Sequence, residues 1–273
     1  MDSESRFEFG SNWSRFLAKL NDDRINQAID SLRVFLDVDD LDGMRFLDIG
    51  SGSGLFSLAA RRLGASVTSF DYDPQSVACT MELKRRYYPD DPAWRIEQGS
   101  ALDIDYLRSL GKFDVVYSWG VLHHTGAMWL GIEYAIQCVR NQGMLYVAIY
   151  NDQGWKSHVW WLVKLMYNKL PGPLRRAYVA TVAACVGVLV VLKYTLKLRP
   201  MVGLASLAAR DRQRGMMSKF DRVDWIGGFP YEFARFEVLV SYFESRNFEL
   251  TNGSRNNSLG CHELAFRRLE CAG

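Results

Sequence analysis

The sequence predicts an α/β fold: a mostly parallel sheet with helices on both faces and a helical insertion after the fifth strand. Three observations carry this expectation. Short apolar, β-branched runs alternate with amphipathic stretches through the first 150 residues, the pattern of parallel strands joined by helical crossovers. A glycine-rich turn, LDIGSGSGL, directly follows the first of these runs. Residues 151–230 separate the fifth run from the next amphipathic stretch, far more chain than neighbouring elements usually need.

Taken in order, residues 7–36 have the periodicity of one or two amphipathic helices, expected to lie over the top of the sheet. Strands are expected at Arg45–Ile49 (RFLDI), Ser66–Asp71 (SVTSFD), Trp94–Gln98 (WRIEQ), 113–118 (FDVVYS) and 144–150 (MLYVAIY). Pro74 suits the first turn of a helix that runs on to Tyr87. Residues 233–244 have helical periodicity. After them, 248–250 and 263–267, joined by the turn-rich TNGSRNNSLG, read as a closing β-hairpin. The chain thus divides into an N-terminal helical cap (1–42), a core carrying the glycine loop (43–150), the insertion (151–230) and the end of the core (231–273).

Its 273 residues, 48% of them hydrophobic, suffice for one large buried core. Five cysteines without CxxC spacing write neither a zinc site nor a disulfide framework into the chain. The start MDSESRFEFG is polar and acidic, without the basic start and apolar run of a secretory signal, and a cytoplasmic setting is expected. The net charge of +2 hides an asymmetry, because residues 151–222 hold 13 Lys+Arg against 3 Asp+Glu.

Gly50, Gly52 and Gly54 let the backbone turn tightly after a buried strand and approach a ligand, with free N–H groups at the next helix start. Asp71 ends the second strand, where a carboxylate can accept hydrogen bonds from both hydroxyls of a ribose. Together they imply a nucleoside ligand. The nicotinamide-dinucleotide fingerprint G-x-G-x-x-G is broken by Leu55, three residues after Gly52, which weighs against that cofactor.

Residues 43–150 resemble the class I S-adenosylmethionine-dependent methyltransferases, in particular the broad group that includes the ubiquinone-biosynthesis O-methyltransferases. The resemblance rests on FLDIGSGSG, SFDYDP, QGSALD and FDVVYSWGVLHHT. It implies a Rossmann-like sheet of seven strands with the last antiparallel, S-adenosylmethionine as cofactor and S-adenosylhomocysteine as product. It also implies residue roles: Asp48, Gly50, Ser51, Gly52, Gly54 and Leu55 around the methionine part, and Asp71 with Tyr72 at the ribose. Ser100, Ala101 and Leu102 would face the adenine ring with Asp103 near its amino group, and Ser118, Trp119 and Gly120 would lie beneath the sulfonium.

Methyl transfer is an in-line displacement, so the protein mainly supplies alignment, plus a base when the attacking atom carries a proton. His123 and His124 follow strand four at the edge where open α/β sheets bind ligands, and either imidazole could take a hydroxyl proton. Equally, both could be loop residues that hold backbone carbonyls or cover adenine. Tyr150 joins them as a catalytic candidate. Asn151 and Asp152 could orient a substrate or cap the helix expected near Gly154. Asn12 and Trp13 could close over the cofactor or simply anchor the N-terminal segment. His158 and His262 are isolated in sequence, and no metal is expected.

The insertion opens with WKSHVWWLVKLMYNKL and continues through sixteen uncharged residues, 177–192, shorter than the roughly 20 a spanning helix needs. Two arrangements are open. The helices could form a lid, packed on the domain or on a second copy in a homodimer, with cations drawing in an anionic substrate. Alternatively, their apolar faces could lie in a membrane interface with the cations at lipid headgroups, giving a peripheral protein access to a lipid-linked acceptor. The ubiquinone O-methyltransferases look similar in the position and character of this insertion. Arg212, Arg214, Trp225 and Tyr231 are expected substrate contacts on the returning segment, which could equally be only a tight turn re-entering the fold. The expected function is methyl transfer to a small-molecule or lipid-like, anionic acceptor, at oxygen before carbon or nitrogen. A cofactor-binding protein without catalysis is the other class. Nucleic-acid methylation is disfavoured, since SWGVLHHT replaces the [N/D]PP[Y/F] pattern after strand four.

Overall fold

The structure, a computed structural model, describes Trp13, Leu17, Ala18, residues 20–196, 226–258 and 260–270. Seven strands form one sheet in the order β3-β2-β1-β4-β5-β7-β6. They are β1 (Arg45–Ile49), β2 (Ser66–Asp71), β3 (Trp94–Gln98), β4 (Phe113–Trp119), β5 (Val139–Tyr150), β6 (Phe248–Ser254) and β7 (Cys261–Arg268). The first five run parallel, and β7 lies antiparallel between β5 and β6. The expected closing hairpin is therefore present, with both strands longer than expected.

Successive residues of the central strands feed two cores on opposite faces, because side chains along a strand alternate. Leu47, Val116 and Val147 join one core, with Ile132 and Phe243. Their neighbours Phe46, Val115 and Tyr146 join the other, with Leu32, Leu58 and Leu83. Burial on both faces is why these strands read as unbroken apolar runs rather than as alternating patterns. The helices α1 (Asp22–Leu36), α2 (Leu55–Arg62) and α3 (Pro74–Tyr87) contribute to the second core, whereas α4 (Ile104–Leu110) and α5 (Met128–Gln137) contribute to the first.

Further elements depart from expectation. β5 begins at Val139, not at 144, because Val139 pairs with Phe113 before a register shift, although the intervening residues 140–142 are polar and exposed. The N-terminal segment does not all lie over the top of the sheet. α1 packs on the face beside α2, with Phe35 stacked on Tyr146 at 4.2 Å and Asn252 of β6 donating to the carbonyls of Val34 and Phe35. The last helix, α8 (Phe236–Glu244), starts three residues later than expected, since Ala234 is held in a bridge to Asn151.

Among its described residues the insertion contributes two helices, α6 (Trp155–Lys169) and α7 (Gly172–Leu196). α7 outruns the sixteen-residue apolar run because helical geometry continues through the flanking residues. At 1.5 Å per residue its 25 residues extend about 37 Å. By length and composition it is apolar enough to cross a membrane, with mean hydropathy 1.7 over Gly172–Leu192 and none of its most apolar stretch buried.

Candidate functional site

The C-terminal ends of β1, β2, β4 and β5 share one edge, as parallel strands must, and this gathers Gly50, Asp71, Gly120 and Tyr150 there. Gly50, Gly52 and Gly54 all have positive φ (78°, 54° and 80°), a region that strains side-chain-bearing residues. A Cβ at Gly50 would collide with the side chain of Val121, and one at Gly52 would stand 3.0 Å from the indole of Trp13. The loop is tied down by Gly50 and Ser51 N–H groups donating to the Phe70 carbonyl. Gly54 caps α2 without any side-chain hydrogen bond, leaving backbone N–H groups at the helix start.

Asp71 organises this edge. Its carboxylate accepts from the Gly52 N–H and from the Asp73 N–H, both at 2.9 Å. Tyr72 beside it is exposed. Asp48 is buried one layer deeper, where a chain of hydrogen bonds crosses from β3: Trp94 Nε1 donates to Ser69 Oγ at 2.9 Å, Ser69 and Ser57 hydroxyls meet at 2.7 Å, and Ser57 donates to Asp48 at 2.5 Å. Burial raises the Asp48 carboxyl to about 7, against the opposing Ser57 hydrogen bond and with a smaller push from the Asp71 charge.

Other cofactor candidates divide into backbone-facing and committed groups. Leu55 is buried in the core, so only its backbone can face the loop's ligand. Ser118 is buried and donates to the Ile49 carbonyl, joining β4 to β1. Asp103 caps α4 through the Tyr106 N–H, and Ser100 accepts from the Leu102 N–H, with Ala101 buried between them. At Gly120, φ is 74° and a Cβ would meet nothing within 4 Å, so there is open space at the end of β4, beyond half-buried Trp119. Positive-φ glycines, backbone N–H groups at the start of α2, the Asp71 carboxylate at the end of β2 and this space fit S-adenosylmethionine.

The two histidines are held differently. His123 Nδ1 accepts the Tyr150 N–H at 3.4 Å, and its ring lies 4.1 Å from that of Tyr150. Burial, then the like charges of His124 and Lys164, pushes it well below its ordinary pKa, so it stays neutral. His124 Nδ1 faces the Pro230 carbonyl at 2.5 Å. A carbonyl only accepts, so Nδ1 carries the proton and Nε2 is the basic nitrogen. Pro230 belongs to a strap, residues 230–234, that crosses the edge: the Glu232 N–H donates to the His123 carbonyl, the Ala234 N–H to Tyr150, and the Asp152 N–H to Ala234. The Glu232 carboxylate accepts the Met128 N–H at the start of α5.

Tyr231 lies within this cluster, 4.9 Å from Tyr150, its hydroxyl pushed up by burial. Asn151 and Asp152 are spent on the frame. Asn151 donates to the Asn256 carbonyl, and Asp152 accepts the Gly154 N–H just before α6. Arg212, Arg214, Trp225 and Asn12 lie outside the described residues. Sequence reasoning missed Glu232 and also Lys164, buried on α6 against Tyr150 and Tyr231. The signal for Lys164 was present: Ser157, Trp160, Lys164 and Tyr167 share one helical face. Among the described residues, no three His, Cys, Asp or Glu side chains gather as a metal site.

A family profile described as "Methyltransferase domain" matches residues 47–147. Among curated relatives, the tRNA U34 carboxymethyltransferase of Pseudomonas savastanoi pv. phaseolicola is 41% identical over 87 residues, 31% of this chain and 26% of that protein. The ubiquinone biosynthesis O-methyltransferase of Brucella ovis is 34% identical over 119 residues, 41% of this chain and 43% of that protein. The chain thus spans between a quarter and a half of the length of these relatives. Among solved structures, magnesium protoporphyrin IX methyltransferase from Synechocystis PCC 6803 with bound SAH has a TM-score of 0.55 at 15% identity, covering 94% of this chain and 93% of that one. PKMT2 from Rickettsia typhi has a TM-score of 0.60 at 12% identity, covering 88% and 52%. The motifs, the sheet order and the matched profile agree, and residues 47–147 are the core of a class I S-adenosylmethionine-dependent methyltransferase domain.

Proposed function

We propose that this chain methylates an oxygen of a small, lipid-like, anionic acceptor at a membrane surface. The observation that carries the reading is the two-sidedness of α6. One face, Ser157, Trp160, Lys164 and Tyr167, is buried, with Trp160 and Tyr167 clustered with Phe229 and with Tyr231 and Phe233 of the strap. The other face, Trp155, Val159, Leu162 and Met166, is exposed and apolar, with Trp155 72% exposed. The apolar Val188, Leu189 and Leu192 of α7 are exposed as well, Leu189 at 66%. Lys156, Lys169 and Arg176 are exposed on the same two helices. An apolar surface edged with cations suits an anionic lipid interface, and a patch of this kind is rare on a protein that meets only water.

S-adenosylmethionine, when bound, supplies a methyl group already activated by positive sulfur. The chain's own residues then have limited work. Asp71 fixes the glycine loop and faces the ribose, while the open space at Gly120 admits the acceptor. His124, its Nδ1 proton directed to Pro230, presents Nε2 as the acceptor of a hydroxyl proton. Loss of a positioned base typically costs about 100-fold or more, so His124→Ala is expected to slow S-adenosylhomocysteine release by that factor.

The membrane part is tested by flotation with vesicles of phosphatidylcholine and phosphatidylglycerol. The full chain is expected to float, and a variant with serine at 155, 159, 162 and 166 to stay behind with its S-adenosylmethionine affinity intact. A full chain that ignores the vesicles sinks this reading.

The likeness to tRNA carboxymethyltransferases, together with the basic charge of residues 151–222, favours a second reading in which the acceptor is a transfer RNA. That reading requires tRNA affinity that falls steeply with salt.

A further inference from the structure

Glu232 ties the strap to the histidine turn twice over. Its backbone N–H donates to the His123 carbonyl at 2.9 Å, and its carboxylate accepts the Met128 N–H, with the two oxygens at 3.1 and 3.0 Å. The Gly126 N–H also addresses that carboxylate, and both N–H groups oppose the rise that burial gives its pKa. Met128 opens α5, a helix without a cap of its own: Ala127 precedes it with no side-chain hydrogen bond, and its first turn holds no acidic residue. The N–H groups at a helix start lack intrahelical partners and carry positive potential, so a carboxylate suits them. Aspartate or serine at position 127 would meet that need locally. The fold instead draws the carboxylate from 104 residues away. What the long reach adds is the placement of the strap, since Pro230 stands two residues from Glu232 and its carbonyl faces His124 Nδ1 at 2.5 Å.

We infer that Glu232 is a positioning residue: by pinning the strap to the start of α5, it holds the Pro230 carbonyl on His124 Nδ1 and so fixes the tautomer of that ring. This rests on the reading of His124 as the proton acceptor and names the residue through which the insertion prepares it. A neutral imidazole carries its proton on one nitrogen or the other, and the choice follows the hydrogen bonds the ring makes. A carbonyl only accepts, so it selects the Nδ1–H form and leaves the lone pair on Nε2. Without the Glu232 carboxylate the strap keeps its main-chain bonds at 232 and 234 but loses its anchor on α5. The bond between Pro230 and His124 then competes with water, and the two tautomers come closer in energy. Glu232 acts only through His124.

The chain holds four histidines, so their ring nitrogens can be followed one by one by nitrogen NMR of the full chain, with His124 assigned by the signal lost in His124→Ala. At about pH 8.5, where an ordinary imidazole is neutral, the wild type is expected to show His124 in the Nδ1–H form, about tenfold or more over the other. Glu232→Ala is expected to bring the two forms within about threefold of each other. Glu232→Gln, whose side-chain oxygen still accepts the Met128 N–H, is expected to restore the wild-type ratio. The double variant Ala127→Asp with Glu232→Ala separates positioning from capping. Aspartate recaps α5 and recovers the melting temperature, while the tautomers are expected to stay mixed. The same variant carries the comparison should Glu232→Ala alone fail to fold. An Nε2–H or evenly mixed His124 in the wild type, an unchanged ratio in Glu232→Ala, or a ratio restored by aspartate at 127 overturns the assignment. Release of S-adenosylhomocysteine from S-adenosylmethionine, with salicylate as the phenolic probe, is compared separately between wild type and His124→Ala. A tautomer that follows Glu232, with release unaffected by His124→Ala, overturns the proton-acceptor reading and leaves the positioning by Glu232 standing.

Discussion

The glycine-loop edge and the insertion edge both bury ionisable groups, but they assemble them over different lengths of chain. At the loop, Asp71 is met by N–H groups 2 and 19 residues away, and Asp48 by a hydroxyl 9 residues away. At the insertion, His124 meets Pro230 across 106 residues, and Met128 meets Glu232 across 104. A site closed within one strand-turn-helix unit needs its residues at fixed spacing and therefore leaves a motif. A site closed across an insertion leaves only scattered residues, because helix lengths in between can vary without moving the contact.

The contrast can be strained most severely at Gly50. A valine there would carry a β-branched side chain at φ 78° into Val121. We expect Gly50→Val to abolish measurable S-adenosylmethionine binding by calorimetry, a loss of roughly 100-fold or more. Next in size is Asp48. With its carboxyl raised from 3.8 to about 7, the stabilising contribution is complete below 3.8 and is lost as pH rises through about 7. The limit is on the order of 4 kcal/mol. The gap between the urea midpoints of wild type and Asp48→Asn should therefore change between pH 5 and pH 8, and a gap constant with pH would contradict it.

Asp71→Ala removes the carboxylate that two loop N–H groups address, and is expected to weaken S-adenosylmethionine binding by about 2 to 3 kcal/mol, roughly 30- to 150-fold. The smallest effect belongs to the insertion edge. Glu232→Ala uncaps α5 and should lower stability by about 1 kcal/mol, seen as a melting shift of about 2 to 4 °C, with cofactor affinity unchanged. If cofactor affinity fell as far as stability, the two edges would not be as separate as their geometry indicates.

The same contrast accounts for what could be read from the chain alone. Arg45–Ile49, Ser66–Asp71 and Trp94–Gln98 are strands at their expected limits, because each is a short run bounded by turn chemistry. Pro74–Tyr87 is likewise the helix that proline at its first turn announces. The start of β5 was illegible, since residues 140–142 are polar and exposed and only Val139 ahead of them pairs with Phe113. His123 and His124 look equivalent in sequence, yet one accepts a strand N–H and the other donates to the strap. That distinction depends on Pro230, which no local pattern near residue 124 encodes. Lys164 is a mixed case: its place on one helical face with Ser157, Trp160 and Tyr167 is legible in the sequence, whereas the tyrosines it faces, Tyr150 and Tyr231, are not.

The bridge between Asn151 and Ala234 has a further consequence for how such proteins could be altered. The insertion leaves and re-enters the sheet edge at adjoining points, with Asp152 and Tyr150 both bonded to Ala234. It is in effect an exchangeable cassette whose two stems are already clasped. Replacing the chain between those stems is expected to leave the sheet standing while removing both Pro230 and Lys164. A transplanted cassette would therefore bring with it the tautomer of a histidine it does not contain, and a graft that ignored the carbonyl at position 230 would change reactivity along with acceptor choice.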